Sequence, residues 1–552
     1  MPTSLQPSRL FLGNIVFTRL PITIQTRRFH EYFTTHLPSS SQHPDSRPLG
    51  PHHKLPRNES TPHDPSASNR PAATSPVTGV SRDLTVVRIP LRSAKHHFGA
   101  HFSRGQRPYN EDTYQAGTIE LPAFATRRPR SVSARRPDGQ ADNPASTVTG
   151  DPQVFYFGIF DGHGGSECSD FLKDRLHEYI EEAAKLFGLK TSLPKSASSL
   201  DGPEEKVPLQ GEEKDAMQKT DQENVRMQQA LVKGWKDLVG GYFRRFRPEY
   251  FSTNSDGNYH YLIPHELKGH ELVEVQKHLP PPQQTVCIET VLEYAFLKAD
   301  YDFIAAQVAK ENTSGDDAAI NANEILGAPS RTANPIGGPK RFLGGSTCSV
   351  ALISTPTPTP FWHPAATSTI ITAHCGDTRI LLCDTGSGTA IPVTETHHPN
   401  HPLEAQRMRR YAATFVTDSF GEERVGGLAN TRSFGDMPSK RIGVSAEPEI
   451  LRVEVNAAQY SFMVMMTDGV SGQLSDQEIV DIVKEARTPE QGARDLVSFA
   501  TEVSSDGDNC TVMVVRLGGW ERRQEGGGGS LRTKEGREFK MNEALDPRSR
   551  RM

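Results

Sequence analysis

The amino-acid sequence predicts an α+β fold with two sheets and helices packed on the outside of them. Two observations carry this. Short runs rich in β-branched or aromatic residues, each bounded by Gly, Pro or Asp, come in groups. Stretches with helical spacing come in pairs, where a regular alternation of one strand and one crossover helix would give a parallel sheet. The strand candidates are 154–160, 347–353, 369–374, 379–383, 461–466 and 510–516. The helix candidates are 165–187, 226–246, 286–309, 402–411, 475–486 and 489–503. In the first of these, Phe171, Leu172, Leu176 and Ile180 recur on one helical face.

The folded part is diluted. Hydrophobic residues make up only 35% of the 552-residue chain, and 41 Pro and 45 Gly accompany them. The reading divides the chain into a basic leader over 1–29, a linker over 30–85, a domain over 86–518 and a flexible tail over 519–552. Polar insertions are expected near 117–150, 188–225 and 311–340, because long surface loops add little closure entropy. The stretch 231–251 alternates aromatics with arginines and is expected to pack as an amphipathic helix near the rim of a site, not to bind nucleic acid. Arginines precede Ser131 and Ser133, which makes them candidate kinase sites in a charged loop.

A net charge of -5 gives no pull toward nucleic acid or anionic membrane. No run of apolar residues is long enough for an integral membrane segment. The six cysteines form neither a C-x-x-C pair nor a zinc spacing, so a reducing compartment is expected. Residues 1–30 lack acids and carry Arg9, Arg19, Arg27 and Arg28 among apolar and hydroxyl residues, the composition of a mitochondrial presequence. The alternatives are a basic tail and a cytoplasmic protein.

Acids stand at the ends of the apolar runs. Asp161 closes 154–160 and is followed by Gly162, His163, Gly164 and Gly165. Asp468 follows the 461–466 run, Asp508 precedes 510–516, Asp377 lies between two strand candidates, and Glu111 and Asp112 lie in "RPYNED". Taken singly, each reads as a turn. Converged into one cluster, they would need cations to stay ionised, and hard oxygen donors select Mg²⁺ or Mn²⁺. A pair of such ions lowers the pKa of a shared water, which suits phosphoryl transfer. Imidazole and guanidinium groups nearby would serve as general acid and phosphate clamp.

The ordered blocks "RPYNED", "FDGHGG", "GGSTCSVALI", "HCGDTR", "HHPNHPLEAQR", "GGLANTRSFGD", "EPEI", "TDGV" and "DNCTVMVV" run from 107 to 515. In these the chain resembles the metal-dependent protein serine/threonine phosphatases of type 2C, the PPM family. The resemblance implies a central β-sandwich of two antiparallel sheets flanked by pairs of α-helices. It implies that Asp161 bridges two ions, that the Gly162 carbonyl and Glu111 serve one of them, and that Asp112 orients its waters. Asp468 and Asp508 would hold the other ion, and Asp377 a weaker third. Arg107 would bind the substrate phosphate and His163 would act as general acid, with Asn509 and Thr378 in support. His397 and His398 match a structural turn. Gly472 stands where the family often has a further acid for the third ion, and "NTR" at 430–432 replaces the more usual "SR".

The resemblance also implies phosphoprotein substrates, and a monomer is expected. The fungal mitochondrial branch adds a candidate substrate, a phosphoserine on the pyruvate dehydrogenase E1α subunit. A pseudophosphatase that binds phosphoproteins without turnover, and a scaffold acting through its insertions, are the rival readings. The intact acids and Arg107 speak against the first. N-terminal sequencing of the protein recovered from mitochondria is expected to begin after Phe29; a start at Met1 or Pro2 would remove the presequence.

Overall fold

The computed structural model describes residues 97–125, 152–193, 222–251, 286–310, 336–357, 359–409, 416–417, 423–504, 507–524, 535–536 and 538–540, and the backbone alone of 32–38, 84–90, 211–221 and 415. The expected leader, Ser131, Ser133 and most of the expected insertions lie outside these residues. Inside the stretch expected as linker, Tyr32–Pro38 is a strand that pairs antiparallel with Leu84–Pro90.

Two antiparallel sheets form the centre. In the larger, the strand order is Glu449–Val455, Ser368–Cys375, Gly345–Ser354, Val154–His163 and Thr113–Ile119, with the short Phe434–Gly435 segment also pairing with Gly345–Ser354. In the smaller it is Phe98–Ser103, Cys510–Arg516, Tyr460–Met466, Arg379–Asp384 and Ala390–Pro392. Every strand candidate read from the sequence appears. The edge strands Phe98–Ser103, Thr113–Ile119 and Glu449–Val455 were not among them, because partly exposed strands lack a continuous apolar run.

The alternation of side chains explains why 154–160 is apolar throughout. Phe155, Phe157 and Ile159 pack into the space between the sheets, against Met463, Met465 and Met513 of the smaller sheet. Val154, Tyr156 and Phe160 point the other way, onto the helices Glu167–Leu186 and Ile288–Ala309. The outer face of the smaller sheet carries Leu381, Phe462, Val464 and Val512, covered by helices Asp476–Glu485 and Pro489–Val503. The layers are therefore helices, sheet, sheet, helices. A Ser475–Glu478 capping box starts one outer helix, and Thr488 with Pro489 starts the next.

A third helix, Gly211–Leu238, joins the larger sheet's side. It begins well before the expected 226, since its first turns are rich in Glu, Lys and Gln, good helix formers without an apolar stripe. The aromatics that follow it belong to the core, not to a site rim. Trp235 stacks on Phe243 at 4.4 Å between ring centroids, its indole donates to the Leu297 carbonyl at 3.2 Å, and Tyr242, Phe246 and Phe251 are buried. Among the described residues no helix is long and apolar enough to cross a membrane.

One buried ion pair ties the helical layer to the loop beside the sheet. Lys440 and Asp300 are both fully buried and meet at 2.6 Å; Lys440 also donates to the Ser433 carbonyl, and Asp300 accepts from the Gly435 amide. Removing the cation leaves a carboxylate without its counter-charge in the interior, which costs about 3–5 kcal/mol. Lys440→Met is expected to lose that much in urea unfolding, while an unchanged midpoint would refute the role given to the pair.

Candidate active site

The acids collect at one end of the sandwich, where strands of both sheets stop. Asp161 lies in the Val154–His163 strand and follows Phe155, Phe157 and Ile159 on the face between the sheets. Asp112 leads into Tyr114 and Ala116, which pack against the same core. Asp468 opens a one-turn helix after Tyr460–Met466, and Asp508 stands just before Cys510–Arg516. Asp377 occupies the tight connection between Ser368–Cys375 and Arg379–Asp384. Carboxylate oxygens of Asp161, Asp377 and Asp468 all fall within 4.8 Å of one another.

Such a group is unfavourable by itself. Burial first, and then the charges of Asp468, Asp112, Asp377 and Asp508, hold the Asp161 carboxyl well above its ordinary range. Burial and the same neighbours push Asp468 well up too. Asp112 rises to about 6, chiefly through burial, although Thr467 and Thr511 donate to its Oδ2 at 2.9 and 2.8 Å. The Oδ1 atoms of Asp112 and Asp377 are buried with no hydrogen-bond donor among the described residues. Carboxylate oxygens only, several of them unsatisfied, around one point make a fit for hard divalent cations.

Gly162 is required by space. A Cβ there would lie 2.4 Å from the Glu111 carbonyl oxygen and 2.8 Å from the Ser169 hydroxyl. Ser169 in turn donates to the Glu111 carbonyl at 2.5 Å. The close contact locks the Glu111–Asp112 segment against the Asp161 strand.

Asn509 organises the loop that carries Arg107. Its Oδ1 accepts from the Glu111 amide at 2.8 Å, and its Nδ2 donates to the carbonyls of Arg104 and Tyr109 at 3.0 Å each. Arg107 sits at the rim, with 55% of its side chain exposed, and its Nη2 pairs with Asp508 at 2.9 Å. This contact uses one arm of the guanidinium fork.

His163 points its Nε2 at Asp436, 2.8 Å from Oδ1 and 3.0 Å from Oδ2. Burial alone would depress the imidazolium, but the hydrogen bond and charge of Asp436, with Asp377 and Glu111, raise its pKa. Asp436 is buried, has a left-handed backbone at φ 46, and accepts from the Ser433 hydroxyl at 2.5 Å. Its role was not visible in the sequence. Asn430, in the "NTR" departure from the usual pattern, is a second residue whose role the sequence does not show. Its Nδ2 donates to Asp377 Oδ2 at 2.7 Å and fixes that carboxylate.

The support expected from Thr378 takes a definite form: its hydroxyl meets Ser349 Oγ at 2.7 Å, and Ser349 meets His374 Nδ1 at 2.8 Å. His397 stacks on His374 at 4.7 Å and accepts from the Gly376 amide at 2.9 Å. Burial holds His397 well below its ordinary pKa, so it is a neutral brace for the Asp377 turn. His398 Nδ1 lies 3.1 Å from the Ala429 carbonyl, on the same loop system.

Asp112 allows a test on the folded protein alone. Its raised pKa favours the protonated folded state, so its stabilising share is present below about 4 and is lost as pH rises through about 6. A shift of this size is worth about 3 kcal/mol. In chelator, the stability gained by Asp112→Asn over the unsubstituted protein should therefore grow between pH 4 and 7, and Mg²⁺ should shrink it. A pH-independent difference in thermal melts would sink this account.

A protein phosphatase 2C family model matches residues 303–508. Protein phosphatase 2C homolog 4 of Schizosaccharomyces pombe is 27% identical over 79% of this chain and 84% of its own length. Protein phosphatase 1K, mitochondrial, of Xenopus laevis is 35% identical over 28% of this chain, and protein phosphatase 1L of Bos taurus 34% over 33%. In these two the chain spans 41% and 47% of the relative's length. A solved serine-threonine phosphatase 2C from Toxoplasma gondii aligns over 76% of this chain and 94% of its own, at 16% identity and a TM-score of 0.40. Asp377, Asp468 and Asp508 lie within the matched stretch, and the fold brings Asp112 and Asp161 to them from outside it. Over residues 303–508, and in its likeness to the relatives above, the chain is similar to the protein phosphatases 2C.

Proposed function

We propose that this protein hydrolyses phosphoserine and phosphothreonine in mitochondrial proteins, with Glu111, Asp112, Asp161, the Gly162 carbonyl, Asp468 and Asp508 holding two divalent ions. The observation that carries the reading is the convergence of carboxylates from separate chain segments on one point, with Arg107 and His163 beside it. Mg²⁺ or Mn²⁺ bound there supplies charge neutralisation and a water of lowered pKa. Asp377, whose Oδ1 has no donor among the described residues, is the natural holder of a weaker third ion, without help from Gly472. The 86–518 region is the catalytic domain in this reading.

The chain's own groups then divide the work. Arg107 keeps guanidinium donors beyond its Asp508 contact and clamps the phosphate oxygens at the rim. Asp436 holds a proton on His163 Nε2 and favours the imidazolium, which leaves Nδ1–H to be given to the departing serine or threonine oxygen. Asn509 and the Gly162 contact keep the Arg107–Asp112 loop in register with Asp161. The near-complete acid set favours turnover over a phosphoprotein-binding pseudophosphatase.

The mitochondrial part rests on the acid-free, arginine-bearing first 30 residues and on likeness to a relative named as mitochondrial. A phosphoserine on pyruvate dehydrogenase E1α is the leading substrate. Phosphopeptide hydrolysis should require Mg²⁺ or Mn²⁺. Asp161→Asn should lower it by about 10³-fold and His163→Gln by about 10²–10⁴-fold. Activity that survives excess chelator would overturn the reading. An unchanged E1α phosphosite in mitochondria lacking the protein would remove that substrate alone.

A further inference from the structure

Beside the acid centre lies a groove of about 620 Å³, lined by Phe102, Arg104, Pro108, Tyr109, Glu111 and Gly165 among others. Two of its walls are aromatic and open to solvent: Phe102 is 55% exposed and Tyr109 75%. Large apolar groups in this state are informative, because covering each is worth about 1.5–3 kcal/mol. Phe102 follows Phe98 and Ala100 on the inward face of the Phe98–Ser103 strand. Its ring therefore emerges where the sandwich opens toward the acids.

The groove is continuous with the centre. Glu111 belongs to both, and Arg107 lies on the same loop, between Arg104 and Pro108. That loop is held in place. Asn509 takes the Arg104 and Tyr109 carbonyls, Arg104 Nη1 donates to the Arg107 carbonyl at 2.8 Å, and the Gln106 amide donates to the Gly507 carbonyl at 2.7 Å. Gly165, at φ +124, leaves the groove free of a side chain at its position. A site of this volume, with fixed walls, suits a side chain rather than a passing water layer.

We propose that this groove is the subsite for an apolar side chain next to the phosphorylated residue of the substrate. The inference rests on the phosphatase reading and names part of its specificity. A phosphate held by Arg107 places the neighbouring substrate residues across the Phe102–Tyr109 walls. An apolar side chain there meets two rings, Phe102 and Tyr109.

The test compares kcat/KM for phosphoserine peptides that carry Leu or Phe beside the phosphoserine, on one side or the other, with the same peptides carrying Ser there. Each value is referred to p-nitrophenyl phosphate, which has no neighbouring residue. The unsubstituted enzyme should favour the apolar peptides by about tenfold on one side, the discrimination expected of an apolar pocket. Phe102→Ser and Tyr109→Ser together should bring the ratio close to one. Equal rates for all peptides, or a preference that survives the double substitution, overturns the subsite while leaving the phosphatase reading intact. Failure of every substrate, p-nitrophenyl phosphate included, in Mg²⁺ or Mn²⁺ overturns that reading and the subsite with it.

Discussion

Mutual repulsion among buried and half-buried carboxylates is the constraint around which this molecule is arranged. Oxygens of Asp161, Asp377 and Asp468 lie within 4.8 Å, where like charges in a protein environment repel by about 3–4 kcal/mol per pair. The fold tolerates this because it delivers each acid from a rigid element. Antiparallel ladders anchor Asp161 from one sheet, while the ends of strands in the other anchor Asp468 and Asp508. A sandwich filled by Phe157, Ile159, Met463 and Met465 cannot relax to let the acids part. Divalent cations held by these residues would resolve the conflict, and the repulsion relieved would add to their affinity.

Around the acids lies a set of neutral and ionic braces. Thr467 and Thr511 reach from the smaller sheet to Asp112 on the larger one, so the hydrogen bonds cross the sandwich at its mouth. Asn430 and the stacked His374–His397 pair hold the Asp377 turn. Asp436 holds His163, and the neighbouring Lys440–Asp300 pair fastens the Asp436 segment to a core helix. Changes well away from any ligand can therefore move the reacting groups. Glu404 shows the same economy: Arg407 and Arg432 both grip it, and their charges hold its carboxyl well below the usual range despite burial.

Much of the fold was legible because burial writes itself into residue type. Strands enclosed on both faces, such as Val154–His163, show as unbroken apolar runs. Edge strands such as Thr113–Ile119 do not, since only part of each is covered. The start of the Gly211–Leu238 helix was hidden for a related reason: its first turns carry charge and no apolar stripe. The aromatics after it were visible as residues, yet their destination in the core was not, because an aromatic–arginine alternation fits a rim as well as an interior.

The chain order of residues settled which acids, which imidazole and which guanidinium were available, and it marked their positions at element ends. Those are properties of local composition and spacing, which survive without any fold. Distances between segments are not. That Asp377 meets Asp161 and Asp468, that Asn430 holds Asp377, and that Asp436 is the partner of His163 depend on pairings across up to several hundred residues. So does the open groove between Phe102 and Tyr109. Strand register and sheet packing decide such contacts, and no single stretch of sequence contains both partners.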